Sequence, residues 1–406
     1  ADNQGIIGLE VSYEKFLKGI DGAILTTTTA GGVEIENGAE ERVEPVSGQN
    51  LTTSLDVTIM QYADQVTNQI LQKKKAKSVD IIVMNPNNGE IYAMACAPEF
   101  DLNSPFEITG DTTSMTAKEK QDLRNQMWRN PCVSDTYEPG STFKVLTSAA
   151  GIEKKVVTMN DHFFCPGYRI VEDRRIRCHK TTGHGSETFL QGIMNSCNPV
   201  FMDVGSRLGV HNFFEELNQF QLMKRTGIDL PGEAATIFHK EDKVGAVELA
   251  TISFGQSFQI SPVRLLASCS AIINGGTSVT PHVGVSTARE DGSYMKKFTY
   301  PGGSRVVSKE TSDQIREALG KVVSEGTGKN AGVEGYEVGA KTGTSQKLPR
   351  GNGKYIASTL AFAPVSKPEV ITLVRIDEPE GTYYGGTVAA PVVSQLYTNL
   401  LPYILK

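Results

Sequence analysis

The sequence predicts an α+β fold built on an antiparallel sheet. Two observations at opposite ends of the chain predict the strands. Early on, Val79-Asp-Ile-Ile-Val-Met84, the turn Asn85-Pro-Asn-Asn-Gly89 and Ile91-Tyr-Ala-Met-Ala-Cys96 read as a hairpin within Ser78 to Ala97. Late on, Tyr336 to Thr344, Ile356 to Ala363 and Glu369 to Ile376 read as strands bounded by Gly and Pro. A third observation is the helical patterning between them, which makes one domain whose sheet joins the early hairpin to the late strands.

Taken in order, residues 1–50 hold short polar segments. Asp21-Gly22 and Gly31-Gly32 mark turns, and Asn37 to Gly48 is acidic and loop-like. This stretch is expected to be a linker or the remnant of a separate domain, too small to hold its own core. The main domain is expected over 51–406. Leu51 to Asp56 leads into a helix of roughly twenty residues, with Ile59, Ala63, Val66, Ile70 and Leu71 on one stripe. Lys73, Lys74 and Lys75 suit its C-terminus. Residues 98–137 read as a long polar connection. From 141 to about 230 the pattern is helical with loops, so an all-helical subdomain is expected. Ala246 to Asn274 continues it, interrupted at Ile260-Ser-Pro262. Residues 280–300 suggest a short β excursion, Ser312 to Ser324 an amphipathic helix, and Ala389 to Leu400 a final helix.

Composition bounds the function. The chain has 406 residues, 39% hydrophobic and 21% charged, which fits a globular protein with a sizeable core. A net charge of −6 gives no footprint for nucleic acid. No apolar run approaches the roughly 20 residues of a membrane span. The chain opens without Met or a signal peptide and is expected to be a mature fragment or trimmed ectodomain. Six cysteines are too few for a disulfide scaffold.

The chemistry is concentrated in three short motifs. In Glu138-Pro-Gly-Ser-Thr-Phe-Lys144, a helix start places Ser141 and Lys144 on one face. A buried lysine loses its proton readily and activates a neighbouring serine as a nucleophile. Spare N–H groups of a helix's first turn suit an oxyanion. The same spacing recurs at Ser12/Lys15 and Ser293/Lys296 without support, so one match alone reads as an exposed pair. Ser196-Cys-Asn198 falls in a break between helical segments, and Lys341-Thr-Gly-Thr344 lies on an expected strand just after Gly339. Glycine in a strand marks close approach of a ligand or another backbone. The bland alternatives are that Asn198, before Pro199, is a turn or cap residue and that Lys341 is an ordinary strand-end cation.

Ser-x-x-Lys, Ser-x-Asn and Lys-Thr-Gly in this order resemble the active-site triplet of penicillin-binding proteins and serine β-lactamases. Tyr137 to Lys144, Gly183-His-Gly185, Asn195 to Pro199, Ser253-Phe-Gly-Gln256, Asn274-Gly-Gly276 and Tyr383-Tyr-Gly-Gly386 resemble class B, monofunctional penicillin-binding proteins of Gram-positive type. The resemblance spans roughly Leu51 to the end, and residues 1–50 resemble the tail of that family's N-terminal pedestal. It implies a penicillin-binding/serine β-lactamase-like transpeptidase fold and a peptidoglycan D,D-transpeptidase. Ser141 would attack the carbonyl between the terminal D-alanines of a stem peptide, with Lys144 as base. N–H groups of Ser141 and Thr344 would hold the oxyanion, and Ser196 and Lys341 would relay a proton to the departing D-alanine. Asn198 would bind the substrate amide and position Lys144, while Thr342, Gly343 and Thr344 would bind the substrate end. The implied partners are stem peptides, β-lactams and a membrane glycosyltransferase. The implied place is the outer face of a bacterial membrane, with an N-terminal anchor absent from this chain. The competing functions are a serine β-lactamase or D,D-carboxypeptidase, and a β-lactam sensor domain.

Cys165, Cys178, His184 and Cys197 supply three thiols and an imidazole, a common composition for structural zinc. His184 is preferred to His179 because Gly183 and Gly185 let the backbone bring it in. Such a metal would staple a polar loop to the segment carrying Ser196 and Asn198; the acyl-transfer chemistry itself needs no cofactor. The rival is a Cys178–Cys197 disulfide in an exported protein, a redox-sensitive pair that some spore-specific members of the resembled family carry. Buried free cysteines are the third reading. Cys96, Cys132 and Cys269 receive no role.

Overall fold

A computed structural model describes residues 4–32, 35 and 40–405. The turn at Gly31-Gly32 is described, whereas Asn37, Gly38 and Ala39 of the acidic loop lie outside the described residues. The chain divides into two compact units: one of Ala1–Ser54, Asp229–Pro231 and Val283–Tyr300, the other of the remainder.

The larger unit is organised by a five-stranded antiparallel sheet. Its strands are β1 (Ser78–Met84), β2 (Ile91–Ala97), β3 (Gly339–Gln346), β4 (Tyr355–Ala363) and β5 (Val370–Asp377), in the order β3-β4-β5-β1-β2. The early hairpin does join the late strands, through the β5–β1 pair. On one face lie α1 (Val57–Lys74), which Asp56 caps by accepting from Ile59 N, and α6 (Ala390–Ile404). Ile59, Ala63 and Val66 of α1 and Leu396, Tyr397, Leu400 and Leu401 of α6 form one core with Val79, Ile81, Val83, Ala357, Ala361 and Val374 of the sheet. The strands alternate, so Asp80, Ile82 and Met84 point to the opposite face. The helices of the connecting region include α2 (Lys144–Glu153), α3 (Asn198–Gln219), α4 (Pro262–Ile273) and α5 (Lys309–Ser324). Of these α4 packs against β5 and α5 runs beside β3.

Two expectations need correction. The subdomain is not all helical: His162–Cys165 pairs with Gly185–Thr188, and Tyr168–Val171 with Arg174–Arg177, as two small antiparallel ribbons. The segments linking the two ribbons use Gly167 and Gly183, whose left-handed backbones place them against Thr181 O and Cys165 O, where a Cβ would clash. The polar connection 98–137 also contains a helix, Ala117–Met127, closed at its start by a Thr116/Glu119 capping box.

In the smaller unit the first fifty residues do not stand alone. Asn50–Thr53 pairs with Gly284–Ala288, which in turn pairs with Lys296–Lys297. Asp229 accepts from Tyr13 Oη, from Tyr300 Oη at 3.1 Å, and from the main chain of Val283 and Gly284. The rings of Tyr13, Phe16 and Phe298 cluster at tilted angles, and Tyr13 links them to this half-buried carboxylate. The first segment of this unit therefore runs to Ser54, and residues 229–231 and 283–300 complete it.

Candidate active site

The nucleophile motif forms a 3-10 turn, Gly140–Phe143, feeding directly into α2 at Lys144. Residues three apart eclipse in a 3-10 turn, so Ser141 and Lys144 share a face. Gly140 sits at φ 56°, its N–H donates to Gly255 O at 2.9 Å, and a Cβ there would meet Thr344 O at 3.1 Å. Gly343 is equally constrained: a Cβ would stand 2.7 Å from Ser358 Oγ and 3.0 Å from Pro139 O. These glycines let the nucleophile turn lie directly on β3, bringing the first and third motifs together.

The second motif arrives from the helix break. Phe189–Met194 ends, Ser196 turns with φ 54°, and α3 begins at Asn198. Lys144 Nζ donates to Ser196 O at 2.7 Å, Ser196 Oγ at 3.2 Å and Asn198 Oδ1 at 2.7 Å. Lys341 Nζ donates to Ser196 Oγ at 2.8 Å and to Thr342 O at 3.2 Å. One hydroxyl thus bridges two buried lysines, 1% and 0% exposed. Asn198 Nδ2 donates to Arg177 O at 3.2 Å, anchoring the motif to a ribbon. Thr344 Oγ1 accepts from Gly385 N at 2.9 Å. Ser141 joins through its place one turn before Lys144, and it is partly exposed.

Electrostatics follow from burial. Desolvation lowers Lys144 to about 8, and it lowers Lys341 well below the usual lysine range, with the nearby Lys144 charge as second cause. Both amines reach the same hydroxyl, at 3.2 and 2.8 Å, so two ammonium charges here would repel one another in a poorly solvated site. A neutral amine in this pair is therefore favoured, Lys341 first, and Lys144 becomes a free base as pH rises past about 8. The other two Ser-x-x-Lys matches lack this: Lys15 and Lys296 are exposed, and both lie over the ring of Phe16.

Gly339 has a different explanation from the expected one. Phe362 is its cross-strand partner, and a Cβ would stand 2.4 Å from that ring. The glycine makes room for an aromatic ring across the ladder, not for a ligand.

Beside the cleft, one ligand atom each from Cys165, Cys178, His184 and Cys197 lie within 4.8 Å of one another. The cysteines are free thiols. Cys178 is pulled down to about 2, first by hydrogen bonding with Cys197, whose own thiol is pushed up. His184 Nδ1 lies 3.7 Å from Cys178 Sγ. The set fits a four-coordinate soft cation. Sequence reading missed Glu187, 3% exposed, which accepts from Asn195 at 3.0 Å and lies 3.8 Å from His184 Nδ1. It also missed the Arg177 carbonyl. Neither carries a spacing signal, because both depend on the ribbons.

A serine, two buried lysines and a bridging hydroxyl around a strand edge define a site able to carry acyl groups on serine. The chain belongs to the penicillin binding protein transpeptidase domain family, whose model matches residues 80–398. It is 38% identical over 411 residues to stage V sporulation protein D of Bacillus subtilis, covering 99% of this chain and 61% of that protein. It is 26% identical over 406 residues to peptidoglycan D,D-transpeptidase FtsI of Buchnera aphidicola, covering 98% of this chain and 66% of that one. The crystal structure of penicillin binding protein 3 of Mycobacterium tuberculosis, complexed with aztreonam, superposes with a TM-score of 0.82 at 26% identity, over 99% of this chain and 86% of that one. The chain spans about three-fifths of the length of the first two curated relatives it matches, 61% and 59%.

Proposed function

We propose that this protein is a class B peptidoglycan D,D-transpeptidase that forms stem-peptide cross-links through an acyl-enzyme on Ser141. Ser196 carries the assignment, because its hydroxyl joins the base of the first motif to the lysine of the third. In the first half-reaction Lys144 takes the Ser141 proton as Oγ bonds to the penultimate D-alanine carbonyl. Main-chain N–H groups of Ser141 and Thr344 hold the oxyanion. The peptide C–N bond breaks, and Ser196 and Lys341 pass a proton to the leaving D-alanine amine. Thr342 and Thr344 hold the terminal carboxylate, Gly343 lets β3 approach the turn, and Asn198 holds the donor amide. In the second half-reaction an amine from a neighbouring strand attacks the acyl-Ser141 and the same groups run in reverse. A β-lactam enters the first half-reaction and stops there.

The protein works on the outer face of the membrane, anchored by an N-terminal segment and fed by a glycosyltransferase. Residues 1–50 belong to its pedestal. Zinc held by Cys165, Cys178, His184 and Cys197 would supply folding energy to the cleft edge, since Cys197 sits between Ser196 and Asn198.

The test is a fluorescent penicillin with peptide mapping of the adduct, followed by cross-linking of lipid-linked glycan alongside a glycosyltransferase. Labelling at Ser141, slow release and cross-linked product are expected. Prompt release would point to a β-lactamase. A stable adduct without cross-linking would point to a sensor, and labelling that survives Ser141→Ala would remove the mechanism. For the metal, mass spectrometry should find one zinc per chain. Metal-free protein with an unchanged melting temperature would end that part.

A further inference from the structure

Cys96 and Cys132 lie outside both the catalytic cleft and the four-ligand cluster. Their Sγ atoms stand 3.5 Å apart, though 36 residues separate them in the chain. Cys96 is near the end of β2 and partly exposed, whereas Cys132 lies in the short helix Pro131–Ser134 and is fully buried. Asn130 joins them, with Oδ1 accepting from Cys132 N at 3.0 Å and lying 3.7 Å from Cys96 Sγ. Directly opposite Cys96 in the ladder is Asp80, 2% exposed. Arg375 occupies only one of its oxygens, Nε and Nη2 reaching Oδ2 at 2.8 and 2.6 Å. Oδ1 is buried, no nitrogen or oxygen among the described residues hydrogen-bonds it, and the Cys96 thiol is the remaining group that hydrogen-bonds this carboxylate. An Asp80 carboxylate oxygen and the two sulfurs lie within 4.8 Å of one another. An unpaired carboxylate oxygen in the interior is costly, and the groups beside it are two thiols.

We propose that Asp80, Cys96 and Cys132 form a redox-active dithiol site, in which the thiols close to a disulfide by exchange with a small-molecule or protein disulfide and Asp80 Oδ1 accepts the thiol proton. Cys96, the less buried residue of the two, gives its proton to Asp80 and attacks the incoming disulfide. A bond forms to Cys96 Sγ, the incoming S–S bond breaks, and the departing sulfur leaves as a thiol with that proton. Cys132 gives its proton to Asp80 in turn and attacks Cys96 Sγ, displacing the second thiol. Two electrons pass from the pair to the incoming disulfide, and two protons leave on the two released thiols. A cation is the weaker occupant. The Arg375 guanidinium already neutralises Asp80, and three donors fall one short of a closed structural site.

The bond ties the edge strand β2 to the segment running into the nucleophile turn. Arg375, which holds Asp80, also lies over the ring of Tyr137, 5.4 Å from its centroid, and Tyr137 leads into Ser141. The thiol chemistry stands independently of the acyl-transfer assignment.

The whole 406-residue chain is incubated with oxidised glutathione or with dithiothreitol. Free thiols are then alkylated and peptides mapped without reduction. A Cys96–Cys132 linked peptide pair is expected after oxidation and absent after reduction. Cys132→Ala should instead leave glutathione on Cys96, and Asp80→Asn should slow linkage at least about tenfold. If Asp80→Asn does not fold, the Cys132→Ala comparison decides. Both thiols fully alkylated after oxidation, or glutathione persisting on Cys96 in the unaltered chain, would overturn the proposal. So would a metal ion retained by Cys96 and Cys132 in a chain lacking Cys165, Cys178 and Cys197.

Discussion

Replacing Ser196 with alanine removes the one hydroxyl that both lysines share. Lys144 keeps two acceptors at 2.7 Å, the Ser196 carbonyl and Asn198 Oδ1. Lys341 is hit harder, since its 2.8 Å bond goes and Thr342 O at 3.2 Å is the described acceptor that remains. The loss of one good bond from a buried polar group costs about 2 kcal/mol. Spread over a chain of this size, that lowers the melting temperature by about 2–3 °C. The kinetic loss should be larger. A relay that moves a proton in the transition state is worth about 10²–10⁴ in rate, or roughly 3–5 kcal/mol. The assay is the second-order rate of acylation by a fluorescent penicillin, with thermal melts alongside. Combining Ser196→Ala with Lys341→Met should cost little more than either change alone, because both cut the same connection. A fall of less than about threefold in acylation would refute the relay, and additive effects would separate Ser196 from Lys341.

Acylation should rise with pH and level off above about 8, because Lys144 is protonated below that value and cannot accept the Ser141 proton; rate–pH profiles with the same penicillin check this. Ser141→Ala should abolish labelling while leaving the melting curve nearly unchanged, the residue being partly exposed at the start of a turn; gel fluorescence and calorimetry report the two. Gly343→Ala should destabilise the protein by about 1–3 kcal/mol and suppress labelling, since its Cβ would press on Ser358 Oγ and Pro139 O; denaturant titration measures the first. Cys165→Ser should lower the melting temperature and the acylation rate together if a metal holds the cleft edge, and zinc content by mass spectrometry should fall in step.

The sheet was legible because its strands announce themselves. Val79, Ile81 and Val83 alternate on one face, and Tyr355–Ala363 is apolar apart from Ser358 and Thr359 at its centre. The helices α1, α5 and α6 each carry a buried stripe. Ala117–Met127 was invisible because it buries no residue, leaving no apolar period to detect. The ribbon Tyr168–Val171/Arg174–Arg177 was hidden for a related reason: its strands are largely exposed and do not alternate. At the site, three motifs in fixed order were readable, and their convergence is what the structure adds. Whether a given Ser-x-x-Lys has a buried lysine is a tertiary fact: Lys144 is covered and Lys15 is not. The same holds for the Arg177 carbonyl, Glu187 and the open oxygen of Asp80, each of which has meaning only through neighbours distant in the chain.

The left-handed turn at Ser196, φ 54°, reaches beyond geometry. Threonine offers the same hydroxyl, but its branched Cβ makes that backbone costly. Glycine and asparagine accept the backbone and bring no hydroxyl. The position is closed to substitution on two unrelated grounds, so a lineage escaping a β-lactam would have to remodel the cleft around this residue and leave the residue itself in place.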